Sequence, residues 1–474
     1  MTLARRSLVT IDDLSTGEIE SVFSLADDMS AAIGQQAELC KGKIMASLFF
    51  EPSTRTRLSF EAAMYRLGGN VITAVDIGAT SLAKGESLAD MARIVGSYAD
   101  IVVLRHPWEG AARIVANYAG VPVINAGDGG HQHPTQTLLD LYTIQKERGT
   151  IKGLKIALWG DLKYGRTIHS LIFALAKFGA SILFCPSPGL EVPEHIIQKL
   201  VAEYGGEVEL LKAANGGRRT SPFPVDAVYI TSSSPHQLAM MPGINFEVEL
   251  KKGVDALYVT RPQKERFSAG EGDGLDRKYQ VVDKKLLKGE AFRKTLVMHP
   301  LPRVDELAYE LDTDPRSQYF KQAAYGVPVR MAIISLLLGV KDAAVTKHDA
   351  FLPKIDYPVY RRDSGLRCPN PNCVSIQATE IKYLHHEFKI VNREPLTLRC
   401  VYCEHGFEPE YVASSEWHEG KLIDKKYHAA TSRWARTIKA ENLIIFPSAA
   451  EAENRGFKPN HFADRLPTLK KSLS

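Results

Sequence analysis

The feature that most restricts this chain is a short apolar run ending at Phe50 that gives way, within a few residues, to a helical pattern. Residues 46–61 read ASLFFEPSTRTRLSFE. Pro52, the hydroxyls of Ser53 and Thr54 and the guanidinium groups of Arg55 and Arg57 follow the run. Leu58, Ala62 and Tyr65 then recur at i, i+4 and i+7, the spacing of one helix face. Ser53 and Thr54 therefore fall where a strand becomes a helix. The first turn of a helix has unpaired N–H groups and the positive end of a dipole, so it can hold an anion. The hydroxyls add donors, and Arg55 adds a planar charged fork suited to phosphate. The stretch reads as a phosphate cradle; the plainer alternative is an N-cap with surface arginines.

The same plan returns along the chain. IVVLRHPWEGAARIVA predicts a strand, then Arg105-His106-Pro107, then a helix. VPVINAGDGGHQHPTQTLLDLYTI predicts a strand, a turn at GDGG and a helix whose first turn holds His133 and Gln136. Ser53, Arg105 and His133 thus all follow the carboxyl ends of apolar strands, where open α/β sheets bind their ligands. KIMASLFF and NVITAVD read as strands, and IDDLSTGEIESVFSLADDM as a helix starting at Asp12 or Ser15. SLAKGESLADMARIV places Ser81, Lys84 and Glu86 in a loop before a helix, a position where a lysine is ordinarily just solvated. LKIALWGDLKYGRTIHS opens a second α/β unit, with a helix from about Thr167; its glycines lack the dinucleotide spacing. The stretch 205–250 is irregular and reads as an insert. Within and after it, VDAVYIT (225–231) echoes VDALYVT (254–260), through convergence of two buried strands or a local duplication. Arg261-Pro262-Gln263-Lys264-Glu265-Arg266 follows the strand ALYVT. Arginine suits a carboxylate, and Gln263 either orients it or binds the same ligand. TLVMHPLPRVDEL runs into His299-Pro300-Leu301-Pro302-Arg303, a loop stiffened by two prolines. YFKQAAYGVPVRMAIISLLLGV reads as a long, purely structural helix ending at Gly339.

Composition narrows the class. A chain of 474 residues, 45% hydrophobic and 24% charged, can build two to four domains. A net charge of +4 does not by itself imply a nucleic-acid or membrane partner. No apolar run approaches the roughly 18–20 residues of a membrane span, and MTLARRSLVTIDDLS does not read as a signal peptide. The six cysteines do not form a secreted disulfide framework, so a cytoplasmic location is expected. Four of them, Cys368 and Cys373, then Cys400 and Cys403 after 26 residues, follow a polar linker, TKHDAFLPKIDYPVYRRDSG. Two short cysteine pairs predict a structural Zn2+ site with all four positions filled by thiolates.

Ser53-Thr54-Arg55-Thr56-Arg57 matches the carbamoyl-phosphate motif of the transcarbamoylase family, which the chain resembles over residues 1–345. The resemblance implies attack by the amino group of L-aspartate on carbamoyl phosphate, giving N-carbamoyl-L-aspartate and phosphate for pyrimidine synthesis. It implies that Ser53, Thr54, Arg55, Thr56 and Arg105 hold the phosphate, and that His133 and Gln136, with Thr56 and Arg105, orient or polarise the carbamoyl group. Arg166, Arg261, Gln263 and Lys84 would take the aspartate carboxylates. The backbone carbonyls of Pro300 and Leu301 would lie near the carbamoyl and amino groups. Ser81 and Lys84 would reach the neighbouring subunit's site in a homotrimer, with the pairing of trimers left open. R-x-Q-x-E-R and H-P-L-P-R mark aspartate rather than ornithine as second substrate. A carbamoyltransferase for another amino acid and an inactive scaffold are the competing readings.

Residues 360–410 resemble the zinc domain of the regulatory chain of bacterial aspartate transcarbamoylase, with no room before them for that chain's nucleotide domain. Modulation by nucleotides is therefore not expected. KYHAATSRWARTIKAENLIIFPSAAEAENRGFKPNHF faintly resembles a small cysteine-rich module with cysteines near Ser432, Asn460 and Ala463; a helix plus a basic surface tail is the alternative. The expected fold is α/β, with two doubly wound parallel-sheet domains, for carbamoyl phosphate (1–137) and aspartate (138–345). A linker (346–362), a small four-cysteine zinc-binding β domain (363–415) and a tail (416–474) follow. No cofactor is expected for catalysis, and no nucleic-acid or membrane partner.

Overall fold

The computed structural model describes residues 3–32, 34–76, 78, 80–163, 165–186, 190–205, 208–210, 226–231, 255–261, 281–343, 355–418, 421–422 and 425–460. It divides into two compact units, Met1–Pro107 with Ala111–Lys354, and Trp108–Gly110 with Ile355–Ser474.

In the first unit, helix α1 (Thr16–Ala31) starts at Ser15 because a capping box forms there. Ser15 Oγ accepts from Glu18 N at 3.1 Å, and the Glu18 carboxylate accepts from Ser15 N at 2.8 Å. Strands and helices then alternate: β1 (Ile44–Phe49), α2 (Thr54–Arg66), β2 (Asn70–Val75), α3 (Leu88–Tyr98), β3 (Ile101–His106), α4 (Ala111–Tyr118), β4 (Val123–Asp128) and α5 (Pro134–Arg148). The four strands are parallel, in the order β2-β1-β3-β4. β3 and β4 are buried at every residue, which is why they read as unbroken apolar runs rather than alternating ones. From β1 the chain goes to one side for β2 and to the other for β3. That reversal opens a crevice at the carboxyl ends of β1 and β3.

The second sheet contains β5 (Lys155–Gly160), β6 (Ser181–Pro186), β7 (Val208–Leu210), β8 (Ala227–Thr231), β9 (Ala256–Thr260) and β10 (Leu296–Met298). Helices α6 (Arg166–Lys177) and α7 (Glu194–Tyr204) follow β5 and β6. The strand order, β10-β9-β8-β5-β6-β7, reverses beside β5, and every pairing is parallel. The echoed heptapeptides are the adjacent strands β8 and β9, in register from Ala227↔Ala256 to Thr231↔Thr260. Tyr229 and Tyr258 stack with ring centroids 4.2 Å apart and planes at 11°. Equivalent places in one buried layer ask for the same kinds of residue. Most of 205–250 lies outside the described residues.

Helix α8 (Tyr319–Leu337) ends before Gly339, whose φ of 70° reverses the chain. Val329, Met331, Ile333 and Leu336 of α8 join Ile19 and Phe23 of α1 and Leu138, Leu141 and Tyr142 of α5 in one apolar core. Each such large side chain contributes roughly 1.5–3 kcal/mol on burial. Beyond this apolar face, α8 also buries Gln322 and Arg330, which reach residues of α5 and α2.

The second unit holds an antiparallel sheet of β11 (Val359–Tyr360), β12 (Phe388–Arg393), β13 (Leu396–Cys400) and β14 (Gly406–Phe407). β11 arises inside the segment read as linker. β15 (Tyr411–Ser414) lies at the centre of a further sheet with β18 (Lys426–Ala429), β19 (Leu443–Phe446) and β20 (Lys458–Pro459); β16 (Trp417–His418) and β17 (Lys421–Leu422) form a hairpin. Short helices α9 (Arg433–Thr437) and α10 (Ala449–Asn454) complete it. Ala413, Tyr427, Phe446 and Ala452 form a core of their own. The reading of this segment as a helix plus a surface tail is therefore corrected: its described part holds three short strands and two short helices around a small core.

Candidate active site

The loops at the carboxyl ends of the two parallel sheets carry the polar residues singled out above. Ser53 occupies the N-cap position of α2, but its side chain makes no cap bond, and the first backbone bond of the helix is Arg57 N to Ser53 O. The N–H groups of Thr54, Arg55 and Thr56 therefore have no intrahelical acceptor. Thr54 and Arg55 are exposed and Thr56 is buried. Arg105, at the end of β3, is buried; its Nη1 donates to Ala126 O at 3.2 Å and its Nη2 lies 3.2 Å from Glu51 Oε1. Glu51, two residues before Ser53, was not singled out from sequence, although it lies in the same stretch. It aims Arg105 as well as balancing its charge.

His133 is the N-cap of α5 and is buried. Its N–H donates to Ser170 Oγ at 2.9 Å, and that hydroxyl donates to Gln132 Oε1 at 2.8 Å. The loop leading to His133 is braced by Asp128, which accepts from Asn125 Nδ2 at 2.9 Å and from Gln132 N at 3.1 Å and lies 3.0 Å from His131 Nδ1. Burial pushes the neighbouring His106 down to about 4, so it is neutral near pH 7, with Asp128 and Glu51 opposing the shift. Gln136, in the first turn of α5, donates from Nε2 to Asp140 Oδ1 at 2.8 Å.

The second sheet brings Arg261 to the same place, directly after β9. Burial and the positive charge of Arg261 together lower the proton affinity of Arg55, and Arg55 in turn helps lower that of His299. Arg55, Arg261 and His299 thus share one electrostatic neighbourhood, although they come from three loops and both sheets. Two guanidinium groups beside a histidine N–H network make a place for anions to sit.

The turn after β10 is rigidly braced. His299 Nε2 donates to Glu306 Oε1 at 2.7 Å, both side chains being fully buried, and His299 Nδ1 accepts from Leu301 N at 2.8 Å. The two contacts fix one neutral tautomer. Leu301 is held at a φ of 54°, a strained value for leucine. Pro300 and Leu301 are half-buried.

Two predicted residues, Ser81 and Lys84, are not joined to this group. Ser81 and Lys84 lie on an exposed turn, Ser81–Lys84, where Ser81 Oγ donates to Glu86; among the described residues Lys84 has no ion-pair partner. Arg166 is the first residue of α6, and its neighbour Thr167 shares a 2.9 Å hydrogen bond with Tyr229 OH. Gln263 lies outside the described residues.

In the second unit Cys368, Cys373, Cys400 and Cys403 are buried, with all four Sγ atoms within 4.8 Å of one another. Cys368 and Cys403 are 3.6 Å apart and Cys373 and Cys400 3.8 Å. These gaps are far too long for disulfides, yet close to the edges of a tetrahedron with metal–sulfur bonds of about 2.3 Å. The donor set fits a metal ion. Asn460, where the faint resemblance asks for a cysteine, lies 3.1 Å from His428, Nδ2 to Nδ1, and Ser432 caps α9.

Comparison with known proteins decides the family. The model for the carbamoyl-phosphate-binding domain of aspartate/ornithine carbamoyltransferases matches residues 6–146, and that for their aspartate/ornithine-binding domain matches 242–337. The aspartate carbamoyltransferase catalytic subunit of Thermoplasma acidophilum is 45% identical over 340 residues, 71% of this chain and 99% of that one. The chain belongs to the aspartate carbamoyltransferase family. The catalytic subunit structure from M. jannaschii superposes with a TM-score of 0.56 at 43% identity, over 70% of this chain and 98% of that one. A Trypanosoma cruzi aspartate transcarbamoylase in complex with carbamoyl phosphate and aspartate gives 0.58 at 36% identity, over 71% and 98%. Residues 363–413 match the metal-binding domain of the aspartate carbamoyltransferase regulatory chain. A catalytic subunit and a regulatory-chain module are thus joined in one carbamoyltransferase chain.

Proposed function

We propose that the chain transfers the carbamoyl group of carbamoyl phosphate to the amino group of L-aspartate, giving N-carbamoyl-L-aspartate and phosphate in pyrimidine synthesis. The observation that carries this reading is the placement of Ser53 to Thr56, Arg105, His133 and Arg261 at the carboxyl ends of the two parallel sheets, with Arg105 braced by Glu51 at 3.2 Å. Both substrates are anions, and such a site compensates their mutual repulsion. Ser53, Thr54, Arg55, Thr56 and Arg105 hold the phosphate, using the free N–H groups at the start of α2. Thr56, Arg105 and His133 face the carbamoyl oxygen, as donors to an oxyanion hole would, and Gln136 orients the carbamoyl group from beside it. Arg166, Arg261, Gln263 and Lys84 bind the aspartate carboxylates. The nitrogen lone pair forms the C–N bond, the C–O bond to phosphate breaks, and Arg55 stabilises the charge growing on the leaving oxygen. That oxygen takes the proton the amine must lose. Holding the two reactants in line supplies most of the rate.

The division is a carbamoyl-phosphate domain at 1–137, an aspartate domain at 138–345 and a structural zinc domain at 363–415, in a cytoplasmic enzyme. No helix among the described residues is long and apolar enough to cross a membrane. The working unit is a homotrimer in which Ser81 and Lys84 complete a neighbour's site. Supporting this, α2, β2 and α3 leave Leu58, Tyr65, Ile72, Ile94 and Tyr98 at 41–61% exposure, a large apolar display for a surface without a partner.

Steady-state assays with carbamoyl phosphate and either aspartate or ornithine test the reaction. Turnover with aspartate alone is expected, and turnover with ornithine instead would reject it. For the shared site, an inactive Lys84→Ala chain mixed with an inactive Arg55→Ala chain should regain part of the wild-type activity on reassembly. Mixed assemblies that stay inactive would remove Lys84 from the neighbour's site.

A further inference from the structure

Asp140 has no place in the roles assigned above, yet three side chains converge on its buried carboxylate. It lies one turn after Gln136 in α5 and is 1% exposed. Three side chains from three elements donate to it. Gln136 Nε2 and Gln322 Nε2 reach Oδ1 at 2.8 and 2.9 Å, and Tyr258 OH reaches Oδ2 at 2.9 Å. Arg330 adds a buried positive charge nearby. Arg330 in turn donates to Ser59 Oγ at 3.0 Å and lies over the Phe60 ring, both in α2. Gly326 leaves room for that guanidinium, since a Cβ there would stand 2.2 Å from Arg330 Nη1.

Each donor leads to a different loop of the site. Gln322 Oε1 accepts from His299 N at 2.9 Å, so Asp140 is one residue removed from the turn that carries Leu301. Tyr258 lies three residues before Arg261 and stacks on Tyr229, which bonds Thr167 beside Arg166. Gln136 lies beside the carbamoyl group in the proposed reaction. An ionised carboxylate only accepts hydrogen bonds, so both glutamines must turn their nitrogens toward it. The Gln136 carboxamide is therefore held with its oxygen directed away from Asp140, and no described residue claims that oxygen. It is an acceptor for an N–H of the carbamoyl group or of the incoming amine.

Resting on the carbamoyl-transfer reading, we propose that Asp140 is a positioning residue, fixing the orientation of Gln136 and tying it to the loops of Arg261 and Leu301 from the other sheet. Burial raises its carboxyl to about 7, against the pull of its three hydrogen bonds and Arg330. A structural role alone does not call for an ion in so dry a place, because an apolar residue of like volume would pack without that penalty.

The test compares full-length variants on the alkaline side of that value. Asp140→Leu removes every acceptor while keeping four side-chain heavy atoms. Asp140→Asn keeps an oxygen toward both glutamines and offers an N–H to the Tyr258 oxygen. Asp140→Leu is expected to lower kcat about 100-fold, as misplacement by an ångström does, with KM for either substrate changed less than about fivefold. Asp140→Asn should restore most of the loss. In a Gln136→Ala background Asp140→Leu should cause no further fall, because the two act as one unit. Should Asp140→Leu fail to fold, Tyr258→Phe deletes one hydroxyl and keeps the ring stack. Its smaller loss, about threefold, should likewise vanish beside Gln136→Ala. An unchanged kcat, or a loss that multiplies in full with that of Gln136→Ala, overturns the role of Asp140. A wild-type chain inactive with both substrates overturns the carbamoyl-transfer reading, and this proposal with it.

Discussion

The arginine-rich site of the first unit and the cysteine cluster of the second are both concentrations of like groups, but they are held together differently. Around Arg55 the protein supplies the opposing partners itself. Glu51 faces Arg105, Glu306 faces His299, and Asp140 gathers Gln136, Gln322 and Tyr258. Around Cys368 no described residue sets a cation among the sulfurs, and the four of them turn toward one another. The first arrangement is braced by the protein's own side chains. The second keeps its geometry only with a metal ion, because thiolates repel until one binds. A site made by hydrogen bonds should thus be sensitive to single side chains, and one made by coordination to chelators.

The largest expected effect falls on the first site. Arg55→Ala should lower turnover about a thousandfold, as loss of a charge-stabilising donor does, with unfolding by circular dichroism unchanged. Turnover within tenfold of wild type would show that the remaining cations suffice. A strong thiol-competent chelator is expected to unfold the region from β11 to β14, seen as fast amide exchange in Phe388–Cys400, and to leave exchange in β1 and β3 as it was. Unaltered protection in Phe388–Cys400 after the metal has been removed would break the contrast.

His106 gives a smaller effect, of defined sign. Its folded value is about 4, below the ordinary 6.5, so between those values the unfolded chain binds the proton that the folded chain refuses. Stability should fall as pH drops from about 6.5 to about 4, by on the order of 3 kcal/mol, and His106→Asn should lose that part of the dependence. Superimposable denaturation profiles for the two proteins would exclude it. The smallest effect is at Asp314, lowered to about 2 chiefly by its hydrogen bonds to Arg316. Its contribution is full above about 4 and fades as pH falls toward 2, by less than about 1 kcal/mol for a pair at the rim of the fold. Comparing thermal midpoints of wild type and Asp314→Asn over that interval would reveal it, and a constant difference would count against the assignment.

Much of the site was legible because its residues are local. Ser53 to Thr56, Arg105, His133 and Arg261 each follow an apolar run, and a parallel sheet puts all such ends on one side. The cysteine cluster was legible for the same reason, since paired spacing is itself local. Asp140 and Gln322 were not, because one looks like an ordinary helix residue and the other lies in a helix that reads as apolar core. The only local hint was that Asp140 follows Gln136 by four residues. The last sheet was missed because β18, β19 and β20 are four residues or fewer, too short for a period to show.

Sequence alone determined the alternation of strand and helix, the strand ends that bear polar groups and the cysteine pairs, since each rests on neighbours within a turn or two of chain. The tertiary structure decided which of those ends meet and which buried groups aim them. Arg55 meets Arg261, and Asp140 meets Gln322 182 residues away, through strand order and helix packing. Those pairings depend on the burial of whole faces, and no stretch of sequence states by itself what it will be buried against.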